Sequence, residues 1–382
     1  MNAGIGQLLP SDEGLNHQIV DTFGTVATPD LSWTEKIWTT IVRKDGSLQV
    51  DCGLGKYPNR NVIDGFGGVA RGIEQLTVRA SRELAPNPEE MAVGPISYEV
   101  VDPMKRVRFR LAENDVLPVR FDLMFERTFP AFFEDRHLDR EGFRIVSDVI
   151  RYHQAGTVSG WIDVDGERIE VRPEEWYAFR DHSWGVRGAV GTRPDDLEPP
   201  RMPSTFHFHW TPMLMENPDG SRYEVHYYFI QGGGVLRHHT GYINHPDGRQ
   251  EPIVRVIPQV TYEEDTRFLK GGKIILLMAS GEQRTVEIEA MEGRTGFHLL
   301  PALYGVFKGA RHGMWQGPLK LDGERVEDCD TFSGGLGASW QLRDCPIRVR
   351  EGKATGLGIL ESTISGDFPE FGLPEAREAG RA

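Results

Sequence analysis

The densest concentration of chemistry-bearing side chains is the run Trp176-Tyr177-Ala178-Phe179-Arg180-Asp181-His182-Ser183-Trp184-Gly185-Val186-Arg187-Gly188. In a strand, successive side chains point to opposite faces. Tyr177, Phe179, Asp181 and Ser183 then share one face, and Trp176, Arg180, His182 and Trp184 share the other. A carboxyl group held among aromatic rings has its pKa raised and can act as a general acid, a role open to Asp181. An imidazole titrates near neutral pH and can give or take a proton, a role open to His182. The structural alternative is an Arg–Asp ion pair capping the end of a barrel, with tryptophans plugging its core. Alternation alone leaves open which face meets a cavity. Ser183 cannot complete a triad with His182, because neighbours along a strand face apart.

A second run, Phe206-His207-Phe208-His209-Trp210, places two histidines on one strand face. That spacing suits two metal ligands, and His226, His238, His239 and Asp181 could complete a set. The cupin arrangement needs a Glu soon after His-x-His, however. Residues 211–215 read TPMLM, Glu216 comes late, and the surrounding glycines do not fit either. We therefore assign no metal and no cofactor, and read the pair as hydrogen-bonded histidines at a domain interface or pocket wall. Arg311-His312-Gly313-Met314-Trp315, preceded by Tyr304 and Phe307, reads as a pocket rim or as a strand with a glycine bulge. Gly232-Gly233-Gly234 before Arg237-His238-His239 resembles an anion nest but lacks the GK[ST] ending of a P-loop. Gly65-Phe66-Gly67-Gly68-Val69-Ala70 fits GxGxxA, yet the preceding Asn-Val-Ile-Asp is a poor buried strand, so a bulge or tight turn is the better reading. There is no GxSxG elbow, no HExxH and no kinase signature.

The elements that must hold these residues are short and alternate with period two. Examples are 46–52, 106–112, 118–126, 167–172, 222–230, 273–279 and 284–291. Between strands lie turn sequences: Lys44-Asp45-Gly46, Val164-Asp165-Gly166, Pro218-Asp219-Gly220, Pro246-Asp247-Gly248 and Leu321-Asp322-Gly323. Residues 31–42 and 72–84 fit helix or strand equally. The fold class is all-β, with antiparallel barrels or sandwiches rather than βαβ units. The 382-residue length predicts two domains or one large one. A Pro- and charge-rich stretch at 191–203 reads as a linker between β domains at 15–190 and 204–365, with a loosely packed tail at 366–382.

The net charge of −14 argues against nucleic-acid binding and against docking on anionic membranes. It weakly disfavours a highly anionic substrate, a tendency that a local basic patch would reverse. Cys52, Cys329 and Cys345 form no CxxC spacing. The N-terminus has no signal-peptide pattern, and no stretch approaches the ~18 apolar residues of a membrane span, so a cytoplasmic location is expected.

The stretch from Val158-Ser159-Gly160-Trp161 through Asp181-His182-Ser183-Trp184-Gly185 resembles the carotenoid 1,2-hydratase (hydroxyneurosporene synthase)/AttH-like group. Ser32-Trp33-Thr34-Glu35 to Tyr57-Pro58-Asn59 is similar to the opening strands of such proteins. The resemblance is strongest over 30–190. It implies two lipocalin-like β-barrel domains and a cofactor-independent hydratase, dehydratase or isomerase. The substrate would be a hydrophobic small molecule such as a terpenoid, steroid or aromatic catabolite. Asp181 would be the acid, with Arg180, His182 and Tyr177 as its catalytic partners. Trp176, Trp184, His207, His209, Trp210, Tyr228, His239 and Trp315 would line the substrate site, with cation–π stabilisation of a carbocation. Two other classes are carried beside this one. One is a lipocalin-like binding protein without catalysis, in which Asp181 and Arg180 pair at the closed end of the cavity. The other is a histidine-ligated metalloenzyme.

Overall fold

The computed structural model describes residues 8–17, 19–199, 203–264, 266–293, 296–330 and 342–373. Among them there is no α-helix, only three short 3-10 turns, and every strand pairing is antiparallel. This is the all-β class that the alternation predicts. The ambiguous segments resolve as strands Trp33–Arg43 and Glu74–Glu83, whose β-branched and aromatic residues alternate between two buried faces.

The strands form two sheets. The first curls around a core that includes Ile41, Val50, Val78, Phe121 and Trp176. In its middle, Trp33–Arg43 pairs with Trp176–Val186, which pairs in turn with the long strand Arg144–Val164. The second sheet runs from Phe206–Glu216 onward. It closes on itself where Gln283–Ala290 pairs with Arg343–Glu351, making a barrel around Met213, Val225, Tyr227 and Ile274. Phe368 and Leu373, within the stretch marked as a tail, are buried in that second core.

Most of the turn sequences lie where the alternation breaks. Gly46, Gly166, Gly220 and Gly248 all have positive φ, which the hairpin geometry requires. One differs. Leu321-Asp322-Gly323 lies inside the strand Leu319–Val326, which joins the edge of the first sheet by pairing with Glu74–Glu83. Asp322 is held there by Arg79 at 2.9 Å, and the missing side chain of Gly323 leaves room for Val116 and Leu117.

The two sheets pack face to face. Trp38, Phe66, Trp210, Tyr228, Phe297 and Leu299 form one apolar seam between them, and Val42, Phe129, Tyr177, Phe179 and Ile359 form another. Strands Trp33–Arg43 and Trp176–Val186 therefore have two functional faces. One looks into the hollow of the first sheet and the other at the second sheet.

Candidate active site

Cross-strand register sets the partners of the central strand. His182 lies opposite Ile37 on one side and Tyr152 on the other, and Arg180 lies opposite Gln154. Directly opposed residues share a face. Arg180 and His182 therefore project into the hollow of the first sheet with Glu35, Ile37, Leu54 and Tyr152. There they line a calyx-like cavity of about 280 Å³. The rest of its wall is largely apolar, with Ile63, Met91, Val100, Met104 and Val107, and is bordered by Lys36 and Lys56.

A hydrogen-bonded chain crosses this cavity. Glu35 Oε1 is 2.8 Å from His182 Nε2, and His182 Nδ1 is 3.1 Å from the Tyr152 hydroxyl. The Glu35 carboxyl is held below its ordinary range. Burial alone would raise it, but the hydrogen bond and charge of His182 prevail. The carboxylate fixes the ring, and each imidazole nitrogen has a defined partner. The side chains of His182 and Glu35 retain 26% and 42% exposure, so the chain sits toward the cavity mouth. Trp184 packs edge-on against His182 and Tyr152 and props the ring.

Arg180 lies deeper and is almost fully buried. It donates to Gln154 Oε1 at 3.0 and 2.6 Å, and one amino group is 3.4 Å from the Tyr98 hydroxyl. Gln154 is itself anchored by the carbonyls of Met104 and Phe129. Arg180 makes no ion pair among the described residues. A buried guanidinium facing an apolar cavity without a counter-charge is suited to hold an electron-rich ligand oxygen.

The opposite face carries Asp181, which looks toward the second sheet. Its carboxylate is 3.0 Å from Arg151 Nε, so its partner is Arg151 and not Arg180. Burial raises its pKa against the opposing pull of Arg151 and Arg187. A second cavity, of about 290 Å³, lies between the sheets, lined by Lys36, Arg151, Arg187, Tyr228, Tyr304 and Glu361 among others. Asp181 and Ser183 line a small recess that shares several of these residues. Burial pushes the Glu361 carboxyl up to about 8 and lowers Lys36 to about 7, the latter helped by Arg187.

The remaining sequence candidates are scattered. Trp176 is fully buried in the first core, and the Tyr177 hydroxyl donates to the Gly358 carbonyl in the seam. His207 and His209 sit 3.0 Å apart inside the second barrel, with His209 2.7 Å from the Tyr262 hydroxyl. Burial lowers the pKa of both, as for hydrogen-bonded neutral imidazoles. Trp210 donates to Glu134 at 2.7 Å, Tyr228 lines the inter-sheet cavity, and His239 is half-buried on strand Val235–Asn244. Trp315 is exposed in a loop.

Glu35, Tyr152, Gln154, Lys36 and Glu361 escaped the sequence reading. They come from three strands far apart in the chain, Trp33–Arg43, Arg144–Val164 and Ala354–Ser365, and each is an ordinary strand residue in its own segment. The one available signal was parity. Once the face of His182 is known, register brings Tyr152 and Glu35 beside it.

Glu134, His153 and His226 bring three ligand-type atoms within 4.8 Å of one another. The two imidazoles, however, stack with centroids 3.8 Å apart and planes inclined by 27°. Such planes meet far beyond the ~2 Å of a metal–nitrogen bond, so both lone pairs cannot reach one ion. His153 is instead 3.0 Å from Glu224, and Glu134 is held well below the usual range despite its burial by Arg151 and His226. This is a charge-balanced network tying the two sheets together.

The sequence profile of a family of unknown function (DUF8625) matches residues 10–374. The chain belongs to that family. No curated protein matches the sequence of this DUF8625 member. Among solved structures, a Nitrosomonas europaea protein provisionally assigned as an AttH is 12% identical, with a TM-score of 0.52 over 94% of this chain and 98% of that one. Kievitone hydratase from Nectria haematococca is 11% identical, with a TM-score of 0.45 over 87% of this chain and 89% of its own. CghA with Sch210972 is 10% identical, with a TM-score of 0.48 over 87% of this chain and 88% of its own. The first of these shares the fold of the DUF8625 chain over nearly its full length, which bears out the AttH side of the sequence resemblance at the level of fold. Among the described residues, no helix is long and apolar enough to cross a membrane.

Proposed function

We propose that this protein is a cofactor-independent hydratase, dehydratase or isomerase for a hydrophobic small molecule, working by acid–base chemistry in the calyx of the first sheet. The observation that carries this reading is the Glu35–His182–Tyr152 chain opening onto an apolar cavity with Arg180 at its floor. The apolar wall takes the body of the substrate and strips its water. Arg180 holds a substrate oxygen and stabilises negative charge developing there. His182, fixed by Glu35, moves the proton, with Tyr152 as its relay. In hydration, water passes a proton to His182 as its oxygen bonds one alkene carbon, and the other carbon takes a proton from the same ring, so that the imidazole ends as it began. Dehydration runs the same steps in reverse. In isomerisation the proton leaves one carbon and returns to another. The acid assigned to Asp181 by resemblance passes to His182, because Asp181 faces away from the calyx.

The test is proton exchange into enones and alkenols of terpenoid, steroid and aromatic type, followed in heavy water by mass spectrometry. Wild-type protein should exchange or hydrate at least one class. His182→Gln should lose about 10²–10⁴-fold of that rate with an unchanged thermal midpoint. Full activity in His182→Gln would remove the assignment. Tight binding with no exchange by the wild type would make the calyx a carrier's pocket.

A further inference from the structure

The inter-sheet cavity takes Lys36 from Trp33–Arg43, a strand that also builds the calyx, and the small recess beside it takes Trp38, Asp181 and Ser183 from that strand and from Trp176–Val186. Glu35, Ile37, Arg180 and His182 face one way, and Lys36, Trp38, Asp181 and Ser183 face the other. The cations around the second cavity are unequally paired: its wall also holds Glu134 and Asp135, but Glu134 is taken by Arg151 and Asp135 accepts from the Tyr242 hydroxyl. Arg151 is spent: it is 3.1 Å from Glu134 and 3.0 Å from Asp181. Arg187 is not. One of its amino groups donates to Ser183 Oγ at 2.6 Å, its Nε is buried with no partner, and it makes no ion pair among the described residues. The Lys36 amine rests 3.9 Å over the Tyr304 ring and 2.9 Å from His312 Nδ1, and likewise has no carboxylate partner among them. Glu361 shares the cavity but supplies little counter-charge, since burial keeps its carboxyl protonated at neutral pH. A desolvated cation without a counter-charge is costly, and a ligand anion would remove that cost.

The rest of the wall combines aromatic and apolar groups, Phe206, Phe208, Tyr228, Val149 and Leu342, with the polar Asp135, His137, Ser147 and Thr363. At about 290 Å³ the cavity is at the small end of the range for ligand pockets. Its cationic wall, rather than its size, sets it apart from the calyx and suits a small aromatic anion. We propose that the inter-sheet cavity is a second ligand site, taking a small monocarboxylate with a flat aromatic body. Its carboxylate sits on Arg187 and Lys36, and its ring lies against Phe208 and Tyr228. One negative charge is what the unspent guanidinium can match. A dianion would meet Asp181 and Glu134 within the same shell. Protonated Glu361 can donate to the bound carboxylate, and binding favours the ammonium form of Lys36. The neighbours that face Lys36 are Arg187, Asp64, Asp181, Glu361 and His312. The site does not depend on the calyx reading.

The experiment is calorimetric titration of the full-length protein with phenylacetate, benzoate and cinnamate, each against its neutral amide. At about pH 6 at least one carboxylate should bind about tenfold or more tightly than its amide. Its affinity should fall as pH rises past about 7, where Lys36 loses its proton. Arg187→Gln should weaken binding about tenfold or more, while His182→Gln should leave it within about twofold. If Arg187→Gln fails to fold, Lys36→Gln carries the same expectation. A Met104→Trp variant, which narrows the calyx, should leave the affinity unchanged. The proposal is overturned if no carboxylate binds, if amides bind as well, if Arg187→Gln and Lys36→Gln both bind normally, or if Met104→Trp abolishes binding.

Discussion

At the scale of single residues, the central strand separates two roles that the sequence places side by side. His182 has a carboxylate on one nitrogen and a phenol on the other, facing an apolar hollow. Asp181 has a guanidinium as its nearest partner and faces the seam between sheets. This predicts that Asp181→Asn changes stability rather than calyx chemistry. Removing the charge leaves buried Arg151 with Glu134 as its remaining carboxylate, which costs about 1–3 kcal/mol as for a buried polar group left short of a partner. Urea unfolding should show that loss, while proton exchange in the calyx stays within about threefold of wild type. A large loss of exchange at unchanged stability would return Asp181 to the acid's role.

At the scale of elements, the sequence was legible wherever alternation and turn chemistry speak locally. Strands, most hairpins and the two faces of Trp176–Val186 follow from period two and from Asp-Gly turns. The pairing of faces with cavities was not legible, because it depends on which strands lie beside the central one. Tyr152 and Glu35 reach His182 from 30 and 147 residues away, and nothing in their own segments marks them. The misplaced turn at Leu321-Asp322-Gly323 has the same origin. A Gly that serves packing against Val116 looks like a Gly that serves a hairpin. The two glycines of the motif shared with AttH-like proteins have a positional reason. Gly160 and Gly185 sit at φ 136° and 133°, and a Cβ on either would run into the backbone of the neighbouring strand, at Asp122 and Asp148 respectively. Gly185→Ala should therefore destabilise by about 2–4 kcal/mol, read as a lower urea midpoint, by strain and steric clash. It should also displace Trp184 and loosen the prop on His182. A midpoint equal to wild type would show that the strand tolerates a side chain there.

At the scale of the whole molecule, the two sheets meet through polar contacts as well as apolar ones, and these make the assembly respond to pH. Asp51, on the strand Gln49–Tyr57, faces Asp344, on Arg343–Glu351 of the second sheet, and the two carboxyls hydrogen-bond each other. Thr40 and Gln49 donate to one oxygen of Asp51, at 2.6 and 3.1 Å. The Asp344 oxygens find no donor but the proton that the pair shares. Burial raises Asp51 to about 6 and Asp344 well above its ordinary value. The pair therefore titrates as a unit. Raised carboxyl pKa values mean that the folded protein keeps a proton which the unfolded chain releases near pH 4. The stability that the pair confers is complete below about pH 4 and is lost as pH rises through about 6 and beyond. The loss assigned to Asp51 amounts to at most about 3 kcal/mol, from a shift of roughly two units at 1.36 kcal/mol each. Asp344→Asn removes one of the two titrating carboxyls and puts a permanent amide donor in its place, so the variant loses the Asp344 share of the pH response while the burial of Asp51 remains. Urea-unfolding free energies between about pH 4.5 and 7.5 should then fall more steeply for the wild type than for the variant, with the variant gaining ground toward neutral pH. Glu134 and His153 are common to both proteins and cancel in the difference, whereas Glu361, whose charge acts on Asp344, titrates with the pair and belongs to the effect. Parallel curves would mean that the Asp51–Asp344 pair does not carry the pH response of the seam.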